Sequence, residues 1–199
     1  MHLRSSSRRT GPIRRVVSFC SEADAFFQHK RRGLWVPAFA GTTLMMKSLS
    51  RTAPSTVTAN TIVSSLLTVQ TSGPGFVDLT SEVAKFVKDS GAREGAVTLF
   101  IRHTSASLTI QENADPSVLD DLMTALDRLA PEDGGWTHDT EGPDDMPAHI
   151  KTMLTATSLH IPVLASELVL GTWQAIYLIE HRARPHRREI VLQFTGATA

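Results

Sequence analysis

The segment AVTLFIRHTSASLTIQENADPSVLDDLMTALDRL, residues 96–129, contains the succession of elements from which the fold is predicted. Every second residue from Val97 to Ile101 is aliphatic, which is the period of a strand with one buried face. A second strand is predicted through Leu108 and Ile110, where apolar and polar residues again alternate. The segment therefore begins with two strands.

A helix follows the two strands. Asp115 is a natural N-cap, and Pro116 suits the first helical position. The apolar residues from Val118 to Leu129 lie on one helical face, with the charged residues away from it. The helix is predicted to end before Pro131.

The other elements show no regular alternation of strands and helices. Two further helices are predicted, from Thr80 or Ser81 to Gly91 and from Pro147 to about Thr155. Further strands are predicted at 57–70, 76–79, 158–164, 168–180 and 189–194. This pattern predicts a single domain of the α+β class, with a mixed, largely antiparallel sheet and two to three helices.

Charge is unevenly distributed along the 199 residues, although the formal net charge is zero. Residues 1–45 carry a net charge of +6 and residues 46–199 a net charge of −6. An acidic body argues against nucleic-acid binding. Because no run of about 18 apolar residues occurs, no membrane span is predicted, and we expect a cytoplasmic protein.

The first 45 residues are predicted to form a disordered basic head, and residues 46–199 to form the domain. The head contains the only cysteine, Cys20, and is rich in Arg and Ser, as transit peptides are. A signal peptide is disfavoured because its apolar stretch is short and broken by Pro37. Residues 33–43 resemble translated intergenic repeats of bacterial genomes, so we favour a start at Met45 or Met46.

Polar residues crowd the junction between the second strand and the following helix. His103 is a candidate metal ligand or general acid/base, and Ser105 a candidate donor to phosphate. The alternative is a hydrogen-bonded core histidine beside a turn. Glu112 is a candidate for supporting a metal or orienting a histidine, and Asn113 is assigned to the same site.

A long polar loop at 131–146 is bordered by a second group of candidate site residues. His138 and His149 flank several carboxylates, which suits a divalent metal, and Asp144 is assigned to support it. One of Asp144 and Asp145 is also expected to cap the following helix. Lys151 is either a phosphate ligand or a solvated lysine.

Trp173 and the basic residues near the C-terminus form a third group. Trp173 is expected either to stack on a flat heterocycle or to lie in a subunit interface. Arg182 and Arg188 are candidate phosphate ligands because guanidinium binds phosphate in a bidentate manner, with a solvated basic turn as the alternative.

Four motifs together resemble the YjbQ-like family, also called secondary thiamine-phosphate synthase. They are HTSASLTIQENADP at 103–116, EGPDDMPAHIK at 141–151, GTWQ at 171–174 and EHR at 180–182. The resemblance spans about residues 57–197. It implies an α+β homotrimer with the polar motifs near subunit contacts, and catalytic roles for Glu180 and His181. Family members often have Gly-Gly-Ser where this chain has the stiffer Pro185.

The resemblance also implies a metal-assisted transferase that joins a pyrimidine diphosphate to a thiazole phosphate, releasing pyrophosphate. His103, His138 and His149 would bind the metal, which is Mg²⁺, Mn²⁺ or Zn²⁺, and the substrate would be a phosphorylated small molecule. One alternative is a trimer that binds metal or a phosphorylated metabolite in a regulatory or sequestering role, with only incidental synthase activity. Another is a metal-dependent hydrolase of such a metabolite.

Overall fold

The computed structural model describes residues 49–199, in which eight strands form two antiparallel sheets beside three helices. The strands are β1 (Thr61–Thr71), β2 (Gly75–Asp78), β3 (Ala92–Ile101), β4 (Ala106–Glu112), β5 (Ser158–Leu164), β6 (Glu167–Leu168), β7 (Gln174–Glu180) and β8 (His186–Thr198). The helices are α1 (Thr80–Asp89), α2 (Pro116–Leu129) and α3 (Asp145–Leu154). The predicted α+β class is thereby confirmed.

The larger sheet has the strand order β1-β8-β3-β5-β6 and supplies most of the core. Alternate residues of β3 and β8 face inward and are fully buried, because the pleat sends successive side chains to opposite faces. Helix α1 packs Val83 and Val87 onto this apolar face. The inward residues are Val97, Leu99, Ile101, Ile190, Leu192 and Phe194.

The smaller sheet, with the order β2-β7-β4, brings the polar motifs together. Ala106, the first residue of β4, pairs with Glu180, the last residue of β7. The chain just before β4 and the chain just after β7 therefore lie side by side. This register places the motif at 103–105 next to the motif at 180–182.

The structure corrects several predicted boundaries, including the start of β1, which is Thr61 rather than residue 57. The single strand predicted at 168–180 is two strands, because a turn closed by a hydrogen bond from Gln174 N to Gly171 O interrupts it. Helix α3 begins at Asp145 rather than Pro147, and β8 is longer at both ends than predicted. Asp115 caps α2 as predicted, since its side chain accepts from Ser117 N at 2.9 Å.

Four large apolar side chains are exposed on the outer face of the larger sheet. Leu66 and Phe100 both pair with Val191, so they lie across one row of the same face. Ile62 and Leu164 also lie on this face, by the alternation of side chains along β1 and β5. The four side chains are exposed by 48–68%.

Within residues 49–199 the structure contains no helix that is both long and apolar enough to cross a membrane. The predicted cytoplasmic location stays a prediction. The predictions for residues 1–45, including the disordered head and a start at Met45 or Met46, fall outside the described residues.

Candidate metal centre and its surroundings

His138, Asp145 and His149 bring two imidazoles and a carboxylate together at the start of α3. One ligand atom from each lies within 4.8 Å of the others. His138 Nε2 is 2.9 Å from Asp145 Oδ2, and His149 Nε2 is 3.8 Å from Asp145 Oδ1. Two ligands bonded at about 2.1 Å to one ion lie at most about 4.2 Å apart, so a small side-chain rotation suffices to close the set.

The tautomer of His149 suits metal binding. Its Nδ1 lies 3.1 Å from the carbonyl oxygen of Thr104, which can only accept a hydrogen bond. Nδ1 therefore carries the proton, and the lone pair of Nε2 is directed toward Asp145. A backbone carbonyl behind a histidine is a common partner of metal-ligating imidazoles.

Arg182 holds the loop before α3 against the end of β7. Its Nε donates to Asp144 Oδ2 at 2.9 Å, its Nη1 to Asp145 Oδ1, and its Nη2 to the Glu141 carbonyl at 2.8 Å. Asp145 is nearly sealed from solvent and so needs this cation. Arg182 donates to Oδ1 of Asp145, whereas Oδ2 lies beside His138.

Asp144 does not cap helix α3 through its side chain. Its side chain makes no capping bond to α3 but accepts from Arg182 Nε and from Ala183 N. Burial alone would raise the pKa of Asp144, but the Ala183 amide and the Arg182 guanidinium outweigh it and lower the pKa. The prediction that Asp144 or Asp145 caps the helix through its side chain is therefore wrong, since both carboxylates turn toward Arg182.

His103 lies outside the three-residue cluster and has a fixed tautomer of its own. The Ser105 backbone N–H donates to His103 Nδ1 at 3.0 Å, and Ser105 Oγ lies 3.1 Å from the same atom. Nδ1 is thus an acceptor, and the neutral ring carries its proton on Nε2. Burial, with the nearby charge of Arg188, lowers the pKa of His103. The neutral ring is therefore a hydrogen-bond donor through Nε2.

Glu180 and Arg188 form a buried ion pair behind His103. Arg188 Nε and Nη2 donate to Glu180 Oε2 and Oε1 at 2.7 and 2.6 Å, and Arg188 Nη2 lies 3.4 Å from Ser105 Oγ. Glu180 also accepts from Thr71 Oγ1 and from two backbone amides. Both guanidinium groups assigned to phosphate, those of Arg182 and Arg188, thus have carboxylate partners within the chain.

His181 and Lys151 are both buried, so the alternative of a solvated Lys151 is wrong. Lys151 Nζ donates to Asp127 Oδ1 at 2.6 Å. His181 Nε2 lies 2.8 Å from Ser107 Oγ, whereas its Nδ1 is sealed from solvent without a hydrogen-bond partner. Burial and the charge of Lys151 lower the pKa of His181 to about 4.

Glu112, Asn113 and Trp173 lie away from these groups. Glu112 is the last residue of β4, whereas His103 lies before Ala106, the first residue of that strand. At about 3.3 Å per residue, the strand separates their backbones by about 25–30 Å. Trp173 adjoins this far end, where Asn113 N donates to the Trp173 carbonyl at 3.1 Å. The described chain does not bring them to the candidate metal centre.

Three residues of this region were not singled out as site residues from the sequence. Asp145 precedes His149 by four positions, and this helical spacing could have identified it as a companion ligand. Ser107 and Asp127 gave no such signal, because their contacts join elements that are distant in sequence.

Comparison with known families and proteins identifies relatives across most of the described region. The family described as UPF0047 protein YjbQ-like matches residues 65–197. UPF0047 protein sll1880 of Synechocystis is 51% identical over 132 residues, covering 66% of this chain and 90% of that protein. YjbQ of Escherichia coli O157:H7 is 40% identical over 131 residues, covering 65% of this chain and 95% of that protein.

Solved structures of similar proteins support the fold. A protein of the YjbQ/UPF0047 family from Clostridium acetobutylicum, described as uncharacterized, has a TM-score of 0.61 at 38% identity. The match covers 98% of that protein and 65% of this chain. A hypothetical protein from Aeropyrum pernix K1 has a TM-score of 0.63 at 26% identity, with 68% of this chain and 99% of that chain covered.

These relatives correct the function that the resemblance implied. Their descriptions give a family without an assigned activity, and none of those named here is described as a thiamine-phosphate synthase or transferase. The expectation of synthase activity, with its alternative of incidental synthase activity, is therefore wrong. The family match itself covers two thirds of the chain and is confirmed. The chain belongs to the UPF0047, YjbQ-like family.

Proposed function

We propose that this protein is a divalent-metal-dependent hydrolase of a phosphorylated small molecule, with His138, Asp145 and His149 as metal ligands. The observation that carries the proposal is the approach of their three ligand atoms to within 4.8 Å. The Thr104 carbonyl behind His149 adds the outer-shell partner that metal-binding histidines require.

The donor set favours Zn²⁺ or Mn²⁺ over Mg²⁺. Two imidazoles and one carboxylate form a common ligand set for catalytic zinc, whereas Mg²⁺ prefers oxygen ligands. Three protein ligands leave a coordination position for water or substrate. A divalent ion there supplies Lewis-acid chemistry, polarising a phosphoryl oxygen and lowering the pKa of a water ligand.

The protein's own residues would position the reactants. Arg182 holds Asp145 in place and keeps its charge compensated, so the carboxylate need not reorganise on metal binding. His103 presents Nε2–H as a neutral donor, with only Thr104 and Ser105 between it and the strand β4. The Thr104 carbonyl contacts His149, so the segment that carries His103 adjoins the candidate metal centre.

The metal requirement gives the first testable prediction. We expect metal-free protein to bind one Zn²⁺ or Mn²⁺ per chain in isothermal titration calorimetry. His149→Ala should weaken this binding by about 100-fold or more, because it removes a ligand rather than an outer-shell partner. Hydrolysis of a generic phosphate monoester such as p-nitrophenyl phosphate should require the same metal and be lost in the variant.

His160→Ala is the matched control. His160 is an exposed histidine on the larger sheet, bonded to Thr98 Oγ1, and its removal should leave metal binding and turnover unchanged. Equal metal affinity in the wild type and His149→Ala would refute the metal centre. Metal binding at this site without turnover of any phosphate monoester would instead refute the hydrolase.

We propose further that the protein is a homotrimer. Leu66 and Phe100 flank Val191 in one exposed apolar row, with Ile62 and Leu164 farther along the same sheet face, and exposed apolar surface of this kind is available to another subunit. Trp173, which is 64% exposed, is a further large side chain available to a neighbouring subunit.

Analytical ultracentrifugation tests the assembly. We expect a mass of about 65 kDa, three times the 21.7 kDa of one chain. Phe100→Asp places a charge in the exposed apolar row that it forms with Leu66 and Val191, and should shift the mass toward that of one chain. A wild-type mass near 22 kDa at micromolar concentration would contradict the trimer.

A further inference from the structure

A cleft of about 360 Å³ is lined by buried polar groups that take no part in the candidate metal centre. Lys151, His181 and Asp127 line it, and so does Asp144, the sequence neighbour of Asp145. Its rim residue Glu132 also lines a second pocket, of about 300 Å³, which contains His138. The two pockets therefore share Glu132, whereas the cleft itself is lined by none of the three proposed metal ligands.

Lys151 is the cation of this cleft, and its partner comes from the surface. The Lys151 side chain is only 7% exposed, whereas the side chain of Asp127, 2.6 Å away, is 64% exposed. A buried ammonium needs a compensating charge, but an exposed aspartate can turn back to water at little cost. The ammonium has three donors, and Asp127 accepts from one of them.

His181 adds a second buried group that lacks a partner. Its Nε2 is bonded to Ser107, while its Nδ1 is sealed from solvent without a hydrogen-bond partner. If the Ser107 hydroxyl donates to Nε2, the neutral ring carries its proton on Nδ1 and can donate it to a ligand. An unpartnered buried donor beside a lysine is suited to an oxyanion.

We propose that this cleft binds a phosphate group, and that the Asp127 carboxylate occupies the anion position until the ligand displaces it. Lys151 would donate to the phosphate oxygens, and His181 Nδ1, which is sealed from solvent, would do so only after the ligand opens a path to it. Asp144 does not compete for the lysine, because Arg182 and Ala183 already engage its carboxylate. The assignment of this phosphate to a substrate rests on the proposed hydrolase, whereas the anion site itself does not.

If phosphate displaces the Asp127 carboxylate from Lys151, removing that carboxylate should strengthen phosphate binding. Inorganic phosphate is titrated into the metal-free full-length chain by isothermal titration calorimetry. Asp127→Asn should bind phosphate at least about ten-fold more tightly than the wild type, because no carboxylate competes for Lys151. Lys151→Met should weaken binding at least about ten-fold, and Lys151→Arg, which keeps the charge, should retain it.

Asp121→Asn is the matched control, with the same charge change at an exposed position of the same helix. It should alter phosphate affinity by less than about two-fold. Equal effects of Asp127→Asn and Asp121→Asn, or no phosphate binding by any variant, would overturn the anion site. Because these titrations contain no metal, they succeed or fail independently of the proposed metal centre.

Discussion

Glu180→Ala is expected to lower the free energy of unfolding by about 3–5 kcal/mol, because it leaves the guanidinium of Arg188 buried and unpaired. Glu180 is fully buried and also accepts from Thr71 and from two backbone amides. Urea denaturation at neutral pH measures the effect. Glu189→Ala is the control, since its pairs with Arg102 and Arg187 are largely exposed and should contribute less than about 1 kcal/mol.

The same ion pair makes stability depend on pH. Burial would raise the pKa of Glu180, but the hydrogen bonds from Arg188, Arg182 N and Thr71 outweigh it and lower the pKa. The stabilisation is therefore present above the ordinary carboxyl pKa and is lost as pH falls through the lowered pKa of the folded state.

A loss of less than about 1 kcal/mol in the free energy of unfolding of Glu180→Ala at neutral pH would show that the Glu180–Arg188 pair does not stabilise the fold.

His181 is expected to destabilise the fold by about 3 kcal/mol as pH falls from 6.5 to 4. Its pKa in the folded protein is about 4, against an ordinary value of 6.5. Between these values the unfolded chain binds a proton that the folded chain does not, so folding stability decreases as pH falls. Below pH 4 both states are protonated, and this contribution becomes constant.

Comparing the wild type with His181→Gln isolates this effect. The variant loses the titrating ring, so its stability should fall by about 3 kcal/mol less than that of the wild type between pH 6.5 and 4. Carboxylates such as Glu180 are present in both proteins, and their contribution cancels to first order. Measurement at pH 8 provides the baseline destabilisation of the variant. Parallel stability curves over this range would show that His181 titrates normally.

Local sequence patterns predicted the class of fold and most elements. The aliphatic alternation in β3 and the Asp115–Pro116 helix start depend only on neighbouring residues, and both occur in the structure. The break between β6 and β7 was not predicted, because the residues between them continue an apolar pattern. The turn there depends on hydrogen bonds between Gly171 and Gln174, which a periodicity does not reveal.

The sequence predicted which histidines belong to the candidate site, but not which side chains are bonded to each other there. His138 and His149 flank a polar loop, so a metal site was predicted from them, and the structure places them together. The sequence did not distinguish Asp144 from Asp145, because the choice depends on how Arg182 from another element divides its bonds between them. The same applies to Asp127, whose bond to Lys151 joins two helices.

Anomalous diffraction from crystals soaked in Zn²⁺ would locate the metal directly. We expect one strong peak per chain, at about 2.0–2.2 Å from a ring nitrogen of His138, a ring nitrogen of His149 and a carboxylate oxygen of Asp145. The peak should be absent from His149→Ala crystals soaked in the same way. No peak among these three side chains, or a peak that persists in His149→Ala, would contradict the proposed metal centre.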